Sequence, residues 1–108
     1  MLFKKKGKPQ FYGISTSEIP AKVKENTVYV VGEKSFKWVA IFKCPCGCGE
    51  MIQLNLLEGA LATWRVVIHR NNTVTIKPSV WRVIGCKSHF TVRRGYINWI
   101  LDYFESSA

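Results

Sequence analysis

A chain of 108 residues, 47% of them hydrophobic and 13% aromatic, holds enough apolar surface for one ordered domain, which excludes both a disordered tail and a multidomain enzyme. Sixteen Lys and Arg against seven Asp and Glu leave a formal charge of +9, which suits anionic partners. No apolar run is long enough to cross a bilayer as a helix, so a soluble protein is expected.

Residues 1–10 read as a basic N-terminal lead-in. Lys4, Lys5, Lys6 and Lys8 crowd it, and Gly7 and Pro9 discourage regular structure. No apolar segment of the secretory type follows Met1-Leu2-Phe3-Lys4-Lys5-Lys6, so a reducing, cytoplasmic setting is expected. Residues 11–108 are expected to form a single zinc-containing β domain.

Phe11 to Ile14 suits a short edge strand, and Ser17 to Val23 a turn or a brief helical piece. Thr27 to Val31 is β-branched and aromatic, a strand, with Gly32-Glu33-Lys34 as the turn and Lys37 to Phe42 as the returning partner. Met51 to Leu56 alternates, with Ile52, Leu54 and Leu56 on one face and Gln53 and Asn55 on the other. Glu58 to Leu61 reads as a loop. Trp64 to His69 and Thr73 to Lys77 flank Arg70-Asn71-Asn72, whose asparagines tolerate the backbone of a hairpin turn. Pro78 lacks an N–H and is expected to end the pairing there. Val80 to Ile84, Phe90 to Arg93 and Tyr96 to Ile100 complete the strands, and Leu101 to Phe104 suits a closing helical turn. The expected fold is mainly β: a small antiparallel domain with little helix, stapled by one metal site.

The staple is Cys44-Pro45-Cys46-Gly47-Cys48-Gly49, answered by Cys86-Lys87-Ser88-His89. Thiols interleaved with Pro and Gly suit a tight loop whose sulfurs converge on one point. Two short ligand groups separated by a long insert is the usual wiring of a structural zinc site. Neighbouring thiols at Cys-x-Cys spacing rarely reach disulfide geometry, so a metal is favoured over two disulfides. Zinc is favoured over an iron–sulfur cluster because it accepts mixed Cys/His sets. Five soft groups (Cys44, Cys46, Cys48, Cys86 and His89) compete for four tetrahedral seats, so one is not a ligand.

A closed zinc site performs no reaction, and chemistry must be sought beside it. Ser79 follows Pro78 where a side chain can be presented, a few residues before the second cluster. If the four cysteines hold the metal, His89 is free to serve Ser79 as a general base. In the opposing reading Ser79 caps a turn and His89 completes a Cys/His set. Lys77, at i−2 from Ser79, leaves a Ser–Lys arrangement open. Ser88 neighbours His89 but points the opposite way on a strand. Glu50 could orient a histidine, and His69 at a hairpin end is expected to be solvated. The four tryptophans, Trp38, Trp64, Trp81 and Trp99, are read as packing residues.

The cysteine loop, Trp64, Pro78-Ser79-Val80, Cys86-Lys87-Ser88-His89-Phe90, Arg94-Gly95 and Trp99 occur in that order. Over roughly residues 27–100 this pattern resembles a small bacterial and phage family formerly described only as a domain of unknown function. Some of its members are encoded beside activating-enzyme-like and conjugating-enzyme-like genes of bacterial ubiquitin-like conjugation systems. The resemblance implies a serine peptidase that removes ubiquitin-like modifiers, with Ser79 as nucleophile, His89 as base and Cys44, Cys46, Cys48 and Cys86 on zinc. Its implied partners are ubiquitin-like protein conjugates. The chain departs from the family in a longer basic N-terminus and an extra tail after Trp99, and it lacks a membrane segment. The alternative is a noncatalytic zinc-binding module for protein or nucleic acid.

Overall fold

The computed structural model describes residues 9–59 and 62–100. The Leu101 to Phe104 turn, most of the basic lead-in and residues Ala60 and Leu61 of the loop lie outside them. Eight strands run in chain order: β1 Tyr12–Thr16, β2 Thr27–Glu33, β3 Phe36–Lys43, β4 Met51–Asn55, β5 Arg65–Ile68, β6 Val74–Trp81, β7 His89–Arg93 and β8 Tyr96–Trp99. No helix occurs among the described residues, and Ser17 to Val23 is a series of bends instead of a helical piece. Val23 there is buried with Tyr29, Val31 and Ile41 on the outer face of β2 and β3. That cover explains why β2 reads as a continuous apolar run and not as an alternation.

The strands form two four-stranded sheets, ordered β1-β2-β3-β4 and β5-β6-β7-β8. All neighbours are antiparallel except β1 and β2, which pair in parallel. The long bend-rich connection between those two strands is what a parallel pair requires, since a tight turn cannot return the chain in the same direction. The hairpin between β2 and β3 turns at Lys34 and Ser35, one residue later than expected, with a register shift between Val31 and Gly32.

The two sheets meet face to face. Val28, Val30, Ala40, Phe42, Ile52 and Leu54 from the first sheet share one core with Val74, Ile76, Val80, Phe90 and Val92 from the second. Ile52 and Leu54 are buried while Met51 and Gln53, alternating with them, are exposed, as the period of two requires. Cys44 belongs to this core, so the cysteine loop is anchored where the sheets join.

Pro78 does not end its strand. β6 continues to Trp81, and what gives way is the register: Ile76 pairs with Val92 and Val80 with Phe90, so four residue steps of β6 oppose two of β7. A proline cannot donate to the ladder, and the strand accommodates it as a bulge. The short strand expected over Val80 to Ile84 is therefore the end of β6 followed by a loop, residues 82–88. Because the bulge inserts an even number of residues, Val80 returns to the core face and Trp81 to the outer face. Ser79 stands in the bulge itself.

Candidate active site and metal centre

The cysteines come from two loops on different sheets. Cys44 directly follows β3, Cys46 and Cys48 lie in the loop before β4, and Cys86 lies in the loop between β6 and β7. The Cys44 N–H donates to the Glu50 carbonyl (2.9 Å) and the Gly47 N–H to the Cys44 carbonyl (3.2 Å), closing the first loop. Gly47 and Gly49 take φ of 91° and 85°, left-handed values that side-chain-bearing residues rarely adopt, and this curls three sulfurs inward. The Arg82 N–H donates to the Ser88 carbonyl (2.7 Å), closing the second loop. Arg82 also reaches Glu50 at 2.7 Å, a second clip between the same two loops.

All four Sγ atoms lie within 4.8 Å of one another. Cys44 Sγ is 3.4 Å from Cys46 Sγ and 3.7 Å from Cys86 Sγ. These separations are far beyond an S–S bond, and all four thiols are free. At a metal–sulfur distance of about 2.3 Å, the corners of a tetrahedral site are about 3.8 Å apart. The donor set fits such a site. Burial pushes the Cys44 thiol up to about 12, whereas the Ser88 hydroxyl beside Cys86 draws that thiol down to about 6. Four sulfurs this close repel as thiolates, so full ionisation requires a cation among them. His89 stands apart from this cluster.

The second constellation begins where the first loop pair ends. Ser79 Oγ lies 3.0 Å from His89 Nε2, at hydrogen-bonding distance. In register His89 faces Trp81, not Ser79, and the bulge at Pro78 brings the hydroxyl onto the imidazole along the diagonal. Trp81 stacks on the His89 ring, with centroids 5.0 Å apart and planes 14° from parallel. The Trp64 indole N–H donates to the Ser79 carbonyl at 3.1 Å, holding the bulge backbone from the β5 side. Trp81 and His89 are also the two stems of the loop that carries Cys86, so the cysteine cluster braces the strand ends that position the histidine.

Other candidates take different places. Lys77 is exposed and lines the same groove as Ser79, but it is His89 that meets the hydroxyl. Ser88 turns toward the cysteines, 3.3 Å from Cys86 Sγ. Glu50 is engaged by Arg82 rather than by a histidine. His69 is not simply solvated, because its Nε2 lies 2.6 Å from Thr75 Oγ1. Trp64 and Trp81 were the residues that packing alone undervalued. Trp81 at i+2 from Ser79 carried a period-two signal, whereas nothing in the spacing joined Trp64 to the Ser79 backbone.

Residues 15–100 match a protein family described as bacterial ubiquitination-like system serine protease, BubE. The chain belongs to the BubE family. The match covers the cysteine loop, the Pro78 bulge and the loop of Cys86, and it agrees with the resemblance carried by those motifs. No curated protein and no solved structure matches the chain. BubE proteins are by description serine proteases of bacterial ubiquitination-like systems, and no helix of the described residues is long and apolar enough to cross a membrane.

The stack on His89 has a measurable consequence. Trp81→Ala frees the imidazole to rotate away from Ser79, and we expect proteolytic kcat to fall about tenfold to a hundredfold with KM little changed. Trp81→Phe, which keeps an aromatic face, should restore most of the loss. Steady-state kinetics of the two variants make the comparison, and equal rates for Trp81→Ala and wild type would show that the stack does not position the imidazole for the reaction.

Proposed function

We propose that this BubE protein is a zinc-stabilised serine peptidase that cleaves ubiquitin-like protein conjugates through the Ser79–His89 pair. The observation that carries the reading is the 3.0 Å contact between Ser79 Oγ and His89 Nε2, on a chain whose family is named for serine proteolysis in a ubiquitination-like system. Ser79 Oγ attacks the carbonyl carbon at the C-terminus of the modifier, and His89 Nε2 takes the hydroxyl proton. As the bond to the leaving group breaks, that proton passes to the departing amine, or to the departing alkoxide of an ester. Water, activated by the same imidazole, then hydrolyses the acyl-enzyme and frees Ser79. Trp81 fixes the plane of the imidazole, and Trp64 fixes the backbone from which Ser79 projects.

Cys44, Cys46, Cys48 and Cys86 are the residues that would hold zinc. Held by four thiolates, the ion would contribute structure and not reaction chemistry. That division leaves His89 off the metal and available as a base. The test is hydrolysis of a ubiquitin-like protein fused through its C-terminus to a second protein, with an ester-linked conjugate assayed alongside. Cleavage at the C-terminus of the modifier is expected, and failure to cleave either substrate overturns the reading.

A further inference from the structure

We infer that the groove beside Ser79 binds an acidic, extended stretch of the polypeptide being cleaved; the identity of this occupant rests on the peptidase reading above. The groove, of about 640 Å³, runs over the outer face of the second sheet from Ser79 toward Thr75 and Arg94. Its lining includes Arg65, Lys77, Arg93 and Arg94 and contains no Asp or Glu. Arg65 and Lys77 stand directly opposite each other in the β5–β6 register. Like charges in that position destabilise a sheet. None of the four cations enters an ion pair among the described residues, where the one salt bridge joins Arg82 to Glu50. Glu58 lines the adjoining cavity with Arg65 and Lys77 but pairs with neither, and an opposed cationic pair without an ion-pair partner is a cost to folding that an anionic occupant offsets.

The chemistry of the lining favours peptide over nucleic acid. Val67 and Pro78, both exposed, give the groove an apolar component, and no Phe, Tyr or Trp lines it. A single-stranded nucleic acid site relies on aromatic faces to stack bases. An extended peptide, by contrast, alternates its side chains between an apolar floor and a charged rim. Between Ile76 and Val80 the bulged strand advances only as far as two residues of β7, so the stretch from Ser79 to Thr75 suits roughly two or three extended residues at about 3.3 Å each.

The experiment measures binding and does not read catalysis. Full-length Ser79→Ala protein is titrated, by fluorescence anisotropy at low salt, into a labelled octapeptide of alternating Glu and Val. The same peptide with Gln for Glu and a single-stranded oligonucleotide of matched charge are run beside it. We expect the acidic peptide to bind about tenfold or more tightly than its Gln counterpart. The Arg65→Gln/Arg93→Gln double variant, added to Ser79→Ala, should lose about tenfold in affinity with no fall in melting temperature, and a small rise where the Arg65–Lys77 repulsion is relieved. Lys22→Gln, at an exposed site in the β1–β2 connection, should bind like its parent. Equal affinity for the two peptides overturns the inference, as does equal loss in the Lys22→Gln control. Tighter binding of the oligonucleotide, lost in the double variant, would assign the groove to nucleic acid instead. Failure of the peptidase reading shows up separately, as cleavage that survives Ser79→Ala while the peptide affinities stand.

Discussion

Ser79→Ala is expected to lower kcat by about ten-thousand-fold to a million-fold while leaving zinc content unchanged. Removing the oxygen deletes the covalent step, and what survives is the small rate supplied by binding and by polarisation of the carbonyl. His89→Ala should lose activity to a similar extent. The two residues share one hydrogen bond and act on one proton, so the double variant should be scarcely worse than either single one. The effect on stability should be modest. The lost contact is a single hydrogen bond at a half-buried serine, about 0.5–1.5 kcal/mol, or several degrees of melting temperature at this size. His89→Ala also separates the two roles open to a histidine here. A base that is not a ligand is lost without releasing metal, so zinc content should stay at one per chain. Retained cleavage in Ser79→Ala would end the serine mechanism, and zinc loss in His89→Ala would make the histidine a ligand.

Cys86→Ser carries the second large effect, on folding rather than on chemistry. Cys86 is the one sulfur supplied by the second sheet; Cys44, Cys46 and Cys48 all come from the loop after β3. Its removal would leave three sulfurs on one loop and take away the metal link between the two loops, with the Arg82–Glu50 pair and the shared core remaining. Structural zinc contributes on the order of 10 kcal/mol in small domains, comparable with the whole stability of a domain of this size. The variant should lose its metal and its cooperative unfolding transition together, although the shared apolar core between the sheets remains available for a looser collapse. Activity should fall as well, because the loop that Cys86 anchors ends at Trp81 and His89. Elemental analysis with thermal unfolding checks this. Wild-type protein prepared without chelators and found free of metal would contradict it, as would a Cys86→Ser variant that melts like wild type.

Much of this arrangement was legible in the chain. The β-branched run at Thr27 to Val31 and the alternation at Met51 to Leu56 became β2 and β4, because period and propensity are local properties. The cysteine loop announced convergence through its glycines. The nearness of Ser79 to His89 was legible only as two short motifs ten residues apart. Their contact depends on how far β6 slips against β7, and that slip is a response of the sheet to Pro78. Periodicity sees a proline as an end, whereas the paired strand can carry it as a bulge and resume. The parallel pairing of β1 with β2 was hidden for a similar reason, since strand direction is set by the connection and by the shared core and not by the residues of β1. Glu50 and His69 were misplaced because their partners, Arg82 and Thr75, are brought to them by tertiary structure in the first case and by hairpin register in the second.

The most direct test of Ser79 as an activated nucleophile is covalent labelling with a serine-directed fluorophosphonate, read by intact mass and by mapping of the modified peptide. Wild-type protein should gain one label, on Ser79, and the His89→Ala variant should gain none while retaining its zinc. A wild-type enzyme that cleaves its conjugate yet stays unlabelled at Ser79, or takes the label on another residue, would contradict the account.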